Sequence, residues 1–179
     1  FCDTERFSDD SQEVMAKFGM GVLYEKSDDG TVIREVSAEL RDNILSNYYW
    51  PHHEQLNQAV NEQLKFNGKA LIVDCHSFPS RPLTRDLSQE DNRPDFNIGT
   101  DPFHTPNYLI EISKEFFKEK GYSLGIDLPY SGSIVPLNHY KKTKNVWSIM
   151  LEINRALYLN EPGNQKSHNY IKTKQTITE

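Results

Sequence analysis

Cysteine is nearly absent from this chain, whose 179 residues include only Cys2 and Cys75. Two thiols, one of them inside an aliphatic run, exclude a disulfide-stapled scaffold, and the Cys75 thiol is expected to be buried. No apolar run approaches the ~20 residues of a membrane-spanning helix. No basic-then-apolar leader opens the chain, and it starts at Phe1 without an initiator Met, so a processed or truncated chain is expected. Long stripes of positive charge are also missing. The net charge is -6, and the Lys141-Lys-Thr-Lys144 cluster reads as a solvated turn rather than a nucleic-acid footprint. An anionic ligand would need a local Arg or a metal, because the overall field repels it. Neither a Gly-rich phosphate loop nor a spaced Cys pair for structural zinc occurs. With no internal repeat and no dividing linker, residues 1–179 read as one domain.

What is present is a globular balance, 36% apolar and 26% charged residues with 9 Gly and 9 Pro. Val22–Tyr24 and Thr31–Ile33 flank an Asp29-Gly30 turn signal and read as a short hairpin. Pro51 suits the start of a helix in which Leu56, Val60 and Leu64 recur, ending near Asn67-Gly68. Ala70–Cys75 is a short aliphatic run, expected as a buried strand. Arg81–Asp95 has no period and is a loop long enough to suggest function. Pro106 opens a helix with Leu109, Ile112, Phe116 and Phe117 on one side, closing at Lys118-Glu-Lys-Gly121. Tyr122–Leu128 reads as a strand, Pro129–Gly132 as a turn, and Val146–Ile153 as the most apolar strand. A closing helix is expected after Pro162. Helices alternating with aliphatic strands give an α/β domain with a mixed sheet covered on both faces.

Two strand ends carry polar residues that do not suit a core. Asp74-Cys-His-Ser77 ends one, and Glu152-Ile-Asn-Arg155 ends the other. In open α/β sheets such ends converge on a crevice. A lone histidine is more often a hydrogen-bonded structural residue, and Glu152 has a bland reading as the ion-pair partner of Arg155. Flanked by Met150, Leu151 and Ile153, however, a carboxylate loses hydration and its pKa rises. A raised Glu beside a neutral His suits a general base working next to a metal ligand. Asp74 shares the face of His76 and would orient it. Cysteine catalysis is disfavoured, because adjacent strand residues point to opposite faces and Cys75 cannot meet His76. His52 and His53 diverge on a helix, so one of them packs or caps. His104 and His139 lie in loops with no assignable partner.

Three motifs, Asp74-Cys-His-Ser-Phe-Pro79, Leu128-Pro-Tyr-Ser-Gly132 and Met150-Leu-Glu-Ile-Asn-Arg-Ala-Leu-Tyr158, together resemble the N-formylglutamate amidohydrolase family. Asp3-Thr-Glu-Arg-Phe7 and Gly19-Met-Gly-Val-Leu-Tyr24 are similar to its early substrate-binding stretch. That family is a branch of the zinc carboxypeptidase-like hydrolases, related to aspartoacylase and succinylglutamate desuccinylase. The resemblance implies zinc as cofactor with His76 as a ligand, and Glu152 as the acid-base residue. It implies Arg6 on a substrate carboxylate, with Asn154 and Arg155 in support, and a small anionic N-acyl amino acid as partner. It further implies a cytoplasmic enzyme of histidine catabolism. The family's remaining zinc ligands, on a Pro-His-Ser-Gly-like strand end and a following acid, have no counterpart here. The expectation is therefore a chain lacking its N-terminal strands, the other ligands lying upstream. A non-catalytic domain that keeps the fold, and a carboxypeptidase-like peptidase, are the alternative readings.

Overall fold

The computed structural model describes residues 2–179. Residues 2–36 are irregular: one 3-10 turn, Ala16–Phe18, and two isolated bridges, Met20 with Tyr24 and Lys26 with Val32. The expected hairpin forms in a shortened and shifted way, Thr31–Ile33 pairing with Glu25–Ser27 instead of Val22–Tyr24: the Ser27 N–H donates to the Thr31 carbonyl at 2.9 Å and the Ile33 N–H to the Glu25 carbonyl at 2.8 Å. Gly30 donates its N–H to the Ser27 carbonyl at 2.9 Å, but Val32 and Ile33 are 63% and 54% exposed and have no apolar surface to lie on. Val22 and Leu23 pack instead against Leu45 and Tyr49.

Those two residues belong to a helical rod longer than the sequence suggests. Ser37 caps helix α1 (Ala38–Ile44), its side chain accepting from the Leu40 N–H. A π-turn, Leu45–Tyr49, follows and runs directly into α2, Trp50–Asn67. Pro51 thus does not begin the helix. The Trp50 N–H reaches back to the Leu45 carbonyl, and this widened turn sits where the Pro51 ring and missing N–H would strain a regular helix. Gly68, at φ 69°, ends the rod in the left-handed conformation.

The sheet is built from β1 (Ala70–Phe78), β2 (Phe96–Gly99), β3 (Leu124–Ile126) and β4 (Val146–Asn154), with helix α3 (Asn107–Glu119) between β2 and β3. The strand order is β1-β4-β2-β3. β1 and β4 are parallel, β4 and β2 antiparallel, and β2 and β3 parallel, so the sheet is mixed. Helix α2 covers one face, where Val60 meets Ala70 and Val146. Helix α3 covers the other, where Phe117 meets Phe96, Ile98 and Ile149. Leu109 and Phe116 join that cluster, whereas Ile112 is 57% exposed and leaves the expected apolar side.

β1 is an edge strand, and that corrects two expectations. It continues past Cys75 to Phe78, and its outward side is bare: Leu71 and Val73 are 51% and 55% exposed. Cys75, on the same side, is exposed rather than buried. Helix α3 lies over β4, β2 and β3 and leaves this strip uncovered. After β4 the chain forms a small hairpin, β5 (Leu159–Asn160) with β6 (Gln165–Lys166), before α4 (Tyr170–Thr178). The closing helix thus begins later than Pro162, whose neighbourhood forms a turn. No helix among the described residues is long and apolar enough to cross a membrane.

Candidate active site

Pairing register assembles the site. His76 on β1 lies opposite Glu152 on β4, and Glu152 lies opposite Asn97 on β2. Directly opposed residues point to the same face, so His76, Glu152 and Asn97 form a row across three strands, near the carboxyl ends of β1 and β4. Asn97 is fully buried and holds a loop over the row. It accepts from the Leu128 N–H through Oδ1 at 3.0 Å and donates through Nδ2 to the Tyr130 carbonyl at 2.8 Å. The loop lies so close to β2 that a Cβ on Gly99 would overlap the Gly132 carbonyl oxygen and the Met150 methyl. Only glycine permits that approach.

Glu152 is 6% exposed, and its Oε2 is buried with no hydrogen-bond partner. Burial pushes its carboxyl up to about 7, against the opposing pull of His76. The ion pair with Arg155, the bland reading of Glu152, does not form. That guanidinium turns to β1, donating from Nε to Ser77 Oγ and from Nη2 to the Ser77 carbonyl, each at 3.2 Å.

Beside this row, two carboxylates converge on the imidazole. His76 Nε2 is 2.8 Å from Glu5 Oε2 and 2.9 Å from Asp74 Oδ1. Neither oxygen has the angular geometry of a directed hydrogen bond to that buried nitrogen. Asp74 and Glu5 together push the His76 pKa up to about 10, so the pocket favours a cation. One nitrogen and two carboxylate oxygens, all within 4.8 Å of one another, match the mixed N/O donor set that suits zinc. Asp74 does face His76, as expected, but it crowds Nε2 instead of standing behind the ring. Glu5 has no sequence signal of its own. It is an exposed acid on an irregular segment, and only folding brings it to β1.

Arg6, the next residue, is about one-third exposed, with Nε 3.4 Å from Asp3 Oδ2 and Nη1 3.4 Å from Glu13 Oε1. Asn154 is turned into the scaffold. It is 7% exposed, donates from Nδ2 to the Pro94 carbonyl at 3.0 Å and accepts from the Ala156 N–H at 3.1 Å. Each end of its amide thereby has a partner within the protein.

The remaining histidines acquire partners. His104 is fully buried. Its Nε2 accepts from the Lys141 N–H at 2.8 Å, and its Nδ1, 2.7 Å from the Val146 carbonyl, must then be the donor. It is a neutral structural residue. His139 bridges Thr143 Oγ1 and Asn61 Oδ1 at 3.1 and 3.0 Å. His53 packs inward with its Nε2 2.7 Å from the Thr4 carbonyl, and His52 is exposed.

The Arg81–Asp95 loop carries a buried ion pair that sequence reasoning missed. Arg93 and Asp86 side chains are 1% and 6% exposed, with Nη2 2.6 Å from Oδ2. Arg93 also donates to the Pro79 carbonyl at 3.2 Å and to the Tyr130 hydroxyl at 3.4 Å. It ties the end of β1 to the loop that Asn97 holds.

Fold and site together define an α/β protein in which an imidazole and a buried carboxyl face each other near the ends of two parallel strands. Residues 1–159 match the sequence model of N-formylglutamate amidohydrolase, and the chain belongs to that family. The structure is similar to the crystal structure of an N-formylglutamate amidohydrolase from Ralstonia eutropha, with a TM-score of 0.85 at 21% identity, over 99% of this chain and 70% of that one. A gene product from Agrobacterium tumefaciens gives a TM-score of 0.65 at 16% identity, over 98% of this chain and 64% of that one. At these identities the likeness is one of fold. No curated protein matches the chain.

Proposed function

We propose that this chain carries the acid–base half of a zinc-dependent amidohydrolase acting on a small N-acyl amino acid, with N-formyl-L-glutamate as the substrate. The observation that supports this most is Glu152, a buried carboxylate with an unpartnered oxygen, standing opposite His76 in register. Zinc would be held by His76 with the carboxylates of Asp74 and Glu5, and when bound it would supply Lewis acidity toward the acyl carbonyl and the attacking water. Glu152, with its pKa about 7, takes a proton from water as the oxygen adds to the formyl carbon. The C–N bond breaks, and the same carboxyl returns the proton to the departing amine, leaving formate and glutamate.

Arg6 presents a guanidinium fork to a substrate carboxylate. Arg155, docked on Ser77 beside the His76 strand, supports that end of the pocket with positive charge. The chain spans 70% and 64% of the two solved relatives, so turnover is to be measured in the protein as expressed from its whole gene. Zinc-loaded protein is incubated with N-formyl-L-glutamate and formate is assayed. Glu152→Gln is expected to abolish formate release while the zinc content stays unchanged. Activity of the variant within about tenfold of the parent, roughly 1.4 kcal/mol in barrier, would refute the assignment.

A further inference from the structure

Glu5 reaches His76 from a segment with no regular secondary structure, so something outside that segment must fix its backbone. The carbonyls on either side of it are both held by helical side chains. Tyr49 Oη donates to the Arg6 carbonyl at 2.9 Å, and His53 Nε2 lies 2.7 Å from the Thr4 carbonyl. A carbonyl only accepts, so His53 carries its proton on Nε2. The two residues are one helical turn apart, and their rings are in contact, tilted at 41° with centroids 4.2 Å apart. Tyr49 is 1% exposed. Nδ1 of His53 is buried without a partner. An orphaned ring nitrogen is costly beside an apolar alternative, and the Nε2–H bond is the one thing at this position that an apolar ring would not provide.

We infer that Tyr49 and His53 are positioning residues. The pair grips the Thr4 and Arg6 carbonyls, and so holds the Glu5 carboxylate against His76 and Asp74. The same grip sets the backbone from which the Arg6 guanidinium extends between Asp3 and Glu13. Neither side chain is assigned any contact with substrate or with the reacting atoms. The inference rests on the reading of Glu5, Asp74 and His76 as zinc donors.

The test is zinc affinity, by competition with a chromophoric chelator, alongside unfolding of each metal-free variant followed by circular dichroism. His53→Leu and Tyr49→Phe are expected to bind zinc about tenfold or more weakly, on the scale of groups that orient metal ligands. His53→Gln, whose amide restores an N–H donor, is expected to stay within about threefold of the parent. Glu5→Gln provides the reference loss, and adding His53→Leu to it is expected to weaken binding no further, because His53 acts through Glu5. Unchanged affinity in both Tyr49→Phe and His53→Leu would overturn the inference. So would multiplicative losses in the Glu5→Gln/His53→Leu pair, or a His53→Gln variant as weak as His53→Leu. A purely structural role would lower the unfolding midpoints without this pattern in affinity. A parent protein that takes up no zinc would instead refute the zinc reading itself, and the inference with it.

Discussion

Replacing Glu152 by Gln should make the metal-free protein more stable at neutral pH, even as it removes the proposed base. The substitution keeps the shape of the side chain and imitates the protonated acid. Burial places the Glu152 carboxyl at about 7, against an ordinary 4.5. The folded pKa is the higher one, so between these values the unfolded chain has released its proton while the fold still holds it. Stability is therefore lost as pH rises from about 4.5 to 7, and the loss is complete above that window. At 1.36 kcal/mol per pH unit this amounts to about 3 kcal/mol. Gln has no proton to lose, and the other titrating groups contribute similarly to both proteins. Urea unfolding with a chelator present, at pH 4, 6 and 8, should show the variant gaining on the parent by about 3 kcal/mol from the first to the last. Parallel stability profiles would mean that Glu152 is solvated or paired, and would remove the argument for a poised base.

Two further outcomes are expected from the charges around the row. In active protein, Arg6→Lys should raise KM by about tenfold and Arg6→Ala by more, because a charge-assisted bidentate pair contributes on the order of 1.5–3 kcal/mol; steady-state kinetics with unchanged KM in both would return Arg6 to its partners Asp3 and Glu13. Arg93→Met should destabilise the fold by about 3 to 5 kcal/mol, because it leaves Asp86 buried and uncompensated; in urea unfolding the Asp86→Leu/Arg93→Met pair should recover most of that loss, and an additive double variant would show that the two charges do not depend on each other.

The chemistry of this site was legible wherever polarity broke an apolar pattern. Glu152 among Met150, Leu151 and Ile153 announces its own desolvation, and His76 is marked by ending an aliphatic run. The mixed sheet and its covering helices were legible from the same periodicities. Asn97 and Glu5 were not, because their importance depends on pairing register and on the approach of a distant loop, and neither is encoded locally. Cys75 misled for a related reason. An aliphatic neighbourhood predicts burial only when both faces of a strand are covered, and nothing in Ala70–Cys75 states that its strand sits at the edge. Pro51 marked a real discontinuity and suggested the wrong kind, a beginning instead of a π-turn.

The π-turn between α1 and α2 makes the rod sensitive to insertions and deletions. A helix advances about 100° per residue, so one additional residue accommodated in a widened turn changes the phase between the two helices it joins. Deleting one residue within Leu45–Tyr49 would close the widened turn and return the strain of the Pro51 ring to a regular helix. It would also rotate α1 by about 100° about the axis of α2 and draw it in by about 1.5 Å. Arg41, which donates to the Ser8 carbonyl at 2.6 Å and pairs with Asp10 at 3.1 Å, would turn away from both. The irregular segment that carries Glu5 and Arg6 would lose the hold of Arg41. Length at this one place is under a constraint that helix propensity alone would not reveal.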